Sequence, residues 1–170
     1  MITVLIETRN DEEALARTLA SLVGAAIEGV VRDVVVCDRG STDQTHKVAE
    51  HAGCHYVGEG GIAAAVRQAK GDWLLLLEPG ARLVDGWTEA VLDHVGRQPL
   101  PARFTPHRDG RRPLFSRLLS PPSALADGLV IRKDRAAALA KSAATAEAIA
   151  RGLASRRLSA QIRPAEPRAR

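Results

Sequence analysis

The sequence predicts an α/β fold, a mostly parallel central sheet flanked by helices, on three observations. First, Val34-Val35-Val36-Cys37 is apolar and β-branched enough to be buried on both faces, as interior strands of parallel sheets are. Second, this run ends abruptly in Asp38-Arg39-Gly40-Ser41-Thr42-Asp43, after which the pattern turns helical through Lys47, Val48 and His51. Third, Leu74-Leu75-Leu76-Leu77 repeats the scheme, with a polar turn and a helical pattern behind it. Asp38 therefore falls at the carboxyl end of a strand beside a helix N-terminus, where open α/β sheets bind ligands.

From the amino end, residues 2–6 are a short β-rich run closed by Thr8-Arg9-Asn10. Asn10 with Glu13 reads as a capping box for a helix through Leu15, Leu19 and Leu22, with Gly24 as its stop. Ser41 with Gln44 repeats the box and predicts a helix over 42–51. Residues 54–57 form a short strand. Gly58-Glu59-Gly60-Gly61-Ile62-Ala63 then enters an Ala-rich helical run through Val66 and Ala69. These six residues match G-x-G-x-x-A, so an NAD(P)-binding loop, with Glu78 as the ribose acid, stands beside a plain glycine turn. Asp85-Gly86-Trp87 opens a helix with Val91, Leu92 and Val95 on one face, and Trp87 is assigned to the core.

Residues 98–122 are rich in proline and arginine, and helical regularity is interrupted apart from a turn through Leu114, Phe115, Leu118 and Leu119. Such a loop is either a solvated insertion or a contact for phosphates or an anionic membrane surface. A last strand over 160–163 is followed by a polar tail, 164–170, expected to be disordered.

Length and composition fit one domain, 1–163, with a substantial core: 170 residues, 45% apolar. Aromatic residues at 3% are too few for a stacking surface, which argues against single-stranded nucleic acid as partner despite a net charge of +4. The two cysteines, Cys37 and Cys54, have neither metal nor disulfide-framework spacing. No leader or long apolar run stands out, so the expected location is the cytoplasm, at most peripheral to a membrane's inner face. Ala-rich helices leave packing as a homodimer open.

Asp38-Arg39-Gly40-Ser41-Thr42-Asp43 resembles the Asp-Asp-Gly-Ser-x-Asp signature of family 2 glycosyltransferases. The resemblance continues in order along nearly the whole chain. Thr8-Arg9-Asn10-Asp11-Glu12 is similar to the family's Thr-x-Asn-Glu turn, and Gly71-Asp72-Trp73 to the lead-in of its Asp-x-Asp motif, which here reads Glu78-Pro79-Gly80. Asp127-Gly128-Leu129-Val130-Ile131-Arg132 is similar to a later strand of the family. Residues 144–151 resemble its Glu-Asp-x-x-Leu-x-x-Arg helix, with Ala148 in the second place.

The resemblance implies a GT-A, Rossmann-like fold for a nucleotide-sugar donor and an unknown acceptor. It implies nucleotide contacts from Thr8, Asn10, Asp38, Arg39 and Arg67, and Mg²⁺ or Mn²⁺ at Glu78. It places the base for the acceptor hydroxyl at Glu147. Arg39, Gly80 and Ala148 each stand where the family has an acid. Two expectations follow: a transferase with weak or no metal dependence, or a non-catalytic binding or scaffold protein on the same fold.

Overall fold

β1 (Ile2–Thr8) is the centre of the sheet, and its burial explains the rest of the architecture. The computed structural model describes residues 1–107 and 123–166. β1 pairs in parallel with β2 (Val31–Asp38) on one side and β4 (Trp73–Leu77) on the other, in registers that bring Thr8 opposite Asp38 and Ile6 opposite Leu77. β3 (His55–Val57) adds in parallel outside β2. The remaining strands are β5 (Arg82–Leu83), β6 (Ala102–Pro106), β7 (Leu129–Arg132) and β8 (Arg156–Arg163), and the order is β3-β2-β1-β4-β7-β6-β8-β5. β7 runs antiparallel to β4 and β6, and β5 antiparallel to β8, so the sheet is mixed beyond β4.

Alternation along the strands feeds two cores. Ile2, Val4, Ile6, Val36, Leu75 and Leu77 face α1 (Glu12–Ala20), α2 (Val23–Ile27), α3 (Thr45–His51) and α5 (Trp87–Arg97). Leu5, Val35, Cys37, Leu74 and Leu76 face α4 (Gly61–Gln68), α6 (Lys133–Ala140) and α7 (Ala146–Ala150). A strand covered on both faces must be apolar at every position, hence the leucine run, whose four side chains are at most 1% exposed. Each such leucine contributes about 1.5–3 kcal/mol over leaving it in water. Trp87, 5% exposed, belongs to the core, whereas Leu92 is largely exposed, one step round the helix from Val91.

Several boundaries differ from expectation, each for a tertiary reason. α1 stops at Ser21 and Gly24 lies inside the separate α2 instead of ending a helix. α3 starts at Thr45, three residues later than the 41–44 box implies, because the preceding turn is occupied by bonds to β1's turn. The proline- and arginine-rich stretch contains β6, where Thr105 Oγ1 donates to the Leu158 carbonyl at 2.7 Å. Arg103 in that strand is a strut: its guanidinium donates to the Ala150 carbonyl at 2.7 Å and to Ser155 Oγ at 3.1 Å. Positions 108–122, with the turn expected through Leu114 to Leu119, lie outside the described residues, as do 167–170. Among the described residues no helix is long and apolar enough to cross a membrane.

Gly71 marks the closest backbone approach at the amino end of the sheet. A Cβ there would sit 2.8 Å from the Thr3 nitrogen and 2.9 Å from the Met1 oxygen, and the Gly71 amide donates to Thr3 Oγ1 at 2.8 Å. Gly71→Ala is expected to cost about 1–3 kcal/mol by overpacking. A lowered urea midpoint at unchanged slope measures it.

Candidate active site

Two βα turns at the carboxyl ends of β1 and β2 are bound to each other by side chains that cap the neighbouring helix. Asn10, in a left-handed conformation (φ 55°), accepts from the Thr42 amide at 2.7 Å through Oδ1, while its own amide donates to Ser41 Oγ at 2.8 Å. The Glu12 amide at the start of α1 donates to Asp43 Oδ2 at 3.2 Å, and the Gln44 amide before α3 donates to Glu12 Oε2 at 2.9 Å. The Asp11 amide donates to Thr45 Oγ1 at 3.1 Å. Neither helix is capped by its own N-cap side chain. The free amides of a helix start need acceptors, and here each turn supplies them to the other.

Asp38 organises the second turn. Its Oδ2 accepts from the Ser41 amide at 2.9 Å and from the Tyr56 hydroxyl at 2.8 Å, and its Oδ1 from the Ser41 hydroxyl. Burial pushes this carboxyl up, but the Ser41 and Tyr56 hydrogen bonds outweigh it and hold the group below its ordinary range. Tyr56 in turn is pushed up to about 12 by burial and by Asp38. Cys37, beneath, is pushed up to about 11 by burial, then by Glu7 and Asp38, which keeps it a protonated thiol.

Beside these turns lies a cavity of about 880 Å³ at the carboxyl ends of β1 and β4. Its lining includes Glu7, Thr8, Arg9 and Asp11 from β1 and its turn, Ala14 and Arg17 from α1, and Arg39 after β2. Glu78-Pro79-Gly80 and Arg82 line it after β4, Ala146 and Glu147 from α7, and Arg163 to Glu166 from β8 and the tail. Five arginines thus face five carboxylates. Of the residues singled out in the sequence, Thr8, Arg39, Glu78 and Glu147 come together in this lining.

Asn10 and Asp38 stand behind it, in the turns that shape it. Arg67 is elsewhere: it lies in the last turn of α4, and its carbonyl accepts from Lys133 Nζ at 3.1 Å near the amino end of β4. The glycines of the G-x-G-x-x-A loop follow the edge strand β3, and none lines the cavity.

Glu7 is the residue sequence reasoning missed. Its Oε2 accepts from the Ala146 amide at 3.1 Å, while Oε1 is buried without a partner. Burial is the main cause of a raised pKa. The Ala146 amide and Arg39 offset part of the rise, and Glu147's negative charge adds to it. The available signal was a lone acid closing an apolar strand. Arg17, Arg82, Arg163 and residues 164–166 were also missed as site residues; the tail's first three residues form wall where disorder was expected. Glu147 forms an exposed ion pair with Arg151 at 3.2 Å.

The arrangement defines an α/β domain with a charged cavity at its strand ends. The chain belongs to glycosyl transferase family 2, whose model matches residues 3–100. Among solved structures it is similar to S. aureus TarS 1–349, with a TM-score of 0.64 at 17% identity over 92% of this chain and 57% of that one. Mannosyl-3-phosphoglycerate synthase from Rubrobacter xylanophilus gives 0.60 at 16% identity, over 79% and 54%. Glucosyl-3-phosphoglycerate synthase from Mycobacterium tuberculosis, in complex with Mn²⁺, UDP and glucosyl-3-phosphoglycerate, gives 0.53 at 18% identity, over 79% and 57%. The chain thus spans little more than half the length of these structures, and at such identity they show a shared GT-A fold. No curated protein sequence matches it significantly.

At the metal motif the donor set is reduced to one carboxylate, Glu78. Among the described residues no three His, Cys, Asp or Glu side chains come together to hold a metal. Position 80, the last of the metal motif, is a glycine at φ 96°, and a Cβ there would lie 3.4 Å from Ala165 Cβ and 3.6 Å from Ala14 Cβ. Those are ordinary contact distances, and it is the backbone angle that disfavours a side chain, and with it a carboxylate, at that place.

Glu7 and Asp38 give opposite pH responses. Glu7 holds its proton more tightly when folded, so the stability it contributes is complete below its ordinary value of 4.5 and is lost as pH rises through the raised one. Glu7→Gln should remove that loss and be more stable than wild type at neutral pH. Asp38 contributes stability above its ordinary range that disappears as pH falls through its lowered value. Asp38→Ala leaves the Ser41 amide and Tyr56 hydroxyl unpartnered, at a cost of about 1–3 kcal/mol each when buried. Urea denaturation of the wild type and both variants across the acidic range separates the two slopes.

Proposed function

We propose that this chain is a glycosyl-transfer domain that takes a nucleotide-diphospho sugar into the cavity at the ends of β1 and β4 and passes the sugar to an acceptor hydroxyl. The observation that carries the reading is the cavity itself, where both family turns, the strand end at Glu78 and the α7 carboxylate Glu147 converge. Thr8 and Arg39 serve the nucleotide side, and Asn10 and Asp38 act through the turns they hold. In the transfer, the bond between the anomeric carbon and the β-phosphate oxygen breaks and a bond to the acceptor oxygen forms. The acceptor proton passes to Glu147, and the nucleoside diphosphate leaves with the bonding pair. Glu147 suits this role because it lines the cavity and is accessible to an acceptor from solvent.

Thermal unfolding with UDP-, GDP-, CDP- and dTDP-sugars and with NAD(H), each with and without Mn²⁺, tests the reading. A ligand at 100 times its dissociation constant adds about 2.7 kcal/mol. Stabilisation by one nucleotide sugar is expected. A response to NAD(H) alone would move the function to the 58–63 loop, and silence towards every ligand would favour a scaffold. With a responding donor in hand, Glu147→Gln should lower turnover by about 10²–10⁴-fold while leaving donor binding unchanged. Equal turnover would remove Glu147 as the base.

A further inference from the structure

The register of β5 on β8 sets Arg82 directly opposite Arg163, and both line the cavity. Their neighbours Leu83 and Ile162 are buried and pin the pair, and the Val84 amide donates to the Gln161 carbonyl at 3.1 Å. Facing side chains on antiparallel strands start about 4.5–5.5 Å apart at Cβ, and like charges there repel. Among the described residues neither guanidinium has a carboxylate partner or a side-chain hydrogen bond. Arg17, which pairs with Glu13 at 3.8 Å, lines the same cavity, and the Gly80 amide donates to the neighbouring Thr18 Oγ1 at 2.8 Å, seating the β4–β5 turn on α1. The three arginines therefore line the cavity with the turn whose last position is a glycine where the metal motif has an acid. Several of the cavity's other charges are engaged: Glu147 pairs with Arg151, Arg39 acts on Glu7, and Asp11 accepts from Thr8 Oγ1 and the Arg9 amide at 3.0 and 2.9 Å.

Two adjacent, unpaired guanidiniums are suited to one ligand chemistry, a diphosphate. Each planar fork can donate two hydrogen bonds to phosphate oxygens, and the anion cancels the repulsion between the forks. We propose that Arg82 and Arg163, with Arg17 beside them, bind the diphosphate of the donor in place of a divalent cation, so that nucleoside diphosphate binding by this chain requires no metal. This rests on the donor reading above. Strand pairing fixes the positive charge in advance, so it is in place as the diphosphate leaves.

Calorimetric titration of UDP, GDP and inorganic pyrophosphate into the whole chain, in EDTA and in Mn²⁺, tests the proposal. Binding of at least one of the three in EDTA, within about threefold of its affinity in Mn²⁺, is expected. In Arg82→Gln/Arg163→Gln it should weaken about tenfold or more, as loss of hydrogen bonds to a charged group requires. Arg82→Lys/Arg163→Lys should recover part of it. Binding that appears only with Mn²⁺, or is equal in the glutamine variant, overturns the metal-free site while leaving the donor reading intact. No binding of any probe in either condition overturns both. The wild-type comparison between EDTA and Mn²⁺ decides the metal requirement even if the glutamine variant does not fold, and the lysine variant, which keeps both charges, then tests the two residues.

Discussion

The reciprocal capping between the β1 and β2 turns is the constraint on which the site depends. Helix starts expose amides that a lone turn satisfies with its own N-cap side chain. Here Asp43 serves α1 while Glu12 serves α3, and Asn10 ties the loops across the top of the sheet. The turns cannot move independently. Arg39, whose amide continues the ladder by donating to the Thr8 carbonyl at 2.9 Å, is therefore held at a fixed place relative to Thr8 and Glu7. Cavity geometry follows from backbone closure before any ligand arrives, which is the preorganisation that binding and transfer both need.

Electrostatics divides the acids of this region by occupation. Asp38 is surrounded by donors and stays ionised as a structural anchor, while Glu7, short of donors, favours its proton. The two lie on neighbouring strands, one residue apart in the register that pairs Glu7 with Cys37 and Thr8 with Asp38. An acid in the strand itself, facing α7 through the Ala146 amide, links the β1 end of the cavity to the helix that carries Glu147.

The fold was legible because its signals are local. Strands buried on both faces announce themselves as unbroken apolar runs, and the polar breaks after Ile6, Cys37 and Leu77 mark the carboxyl ends of the strands, where the cavity lies. Helix starts were less legible: Ser41 and Gln44 have the spacing of a box, yet the Ser41 hydroxyl is spent on Asp38 and the caps come from residues some thirty positions away. The site was half legible. Thr8, Arg39, Glu78 and Glu147 sit in family motifs, whereas Arg82 and Arg163 meet only through strand register, which no local pattern encodes. Arg67 illustrates the converse. Its helix begins near the carboxyl ends of the strands, but its position in the last turn carries it to the far end.

The two outermost strands, β3 and β5, are also the shortest, at three and two residues. An open sheet border is a template on which another chain can add a strand, and short borders are one way proteins blunt it. At β3 the border also carries exposed His55 and Tyr56, the latter's hydroxyl already given to Asp38. Each outermost strand therefore offers another chain only a short ladder to extend.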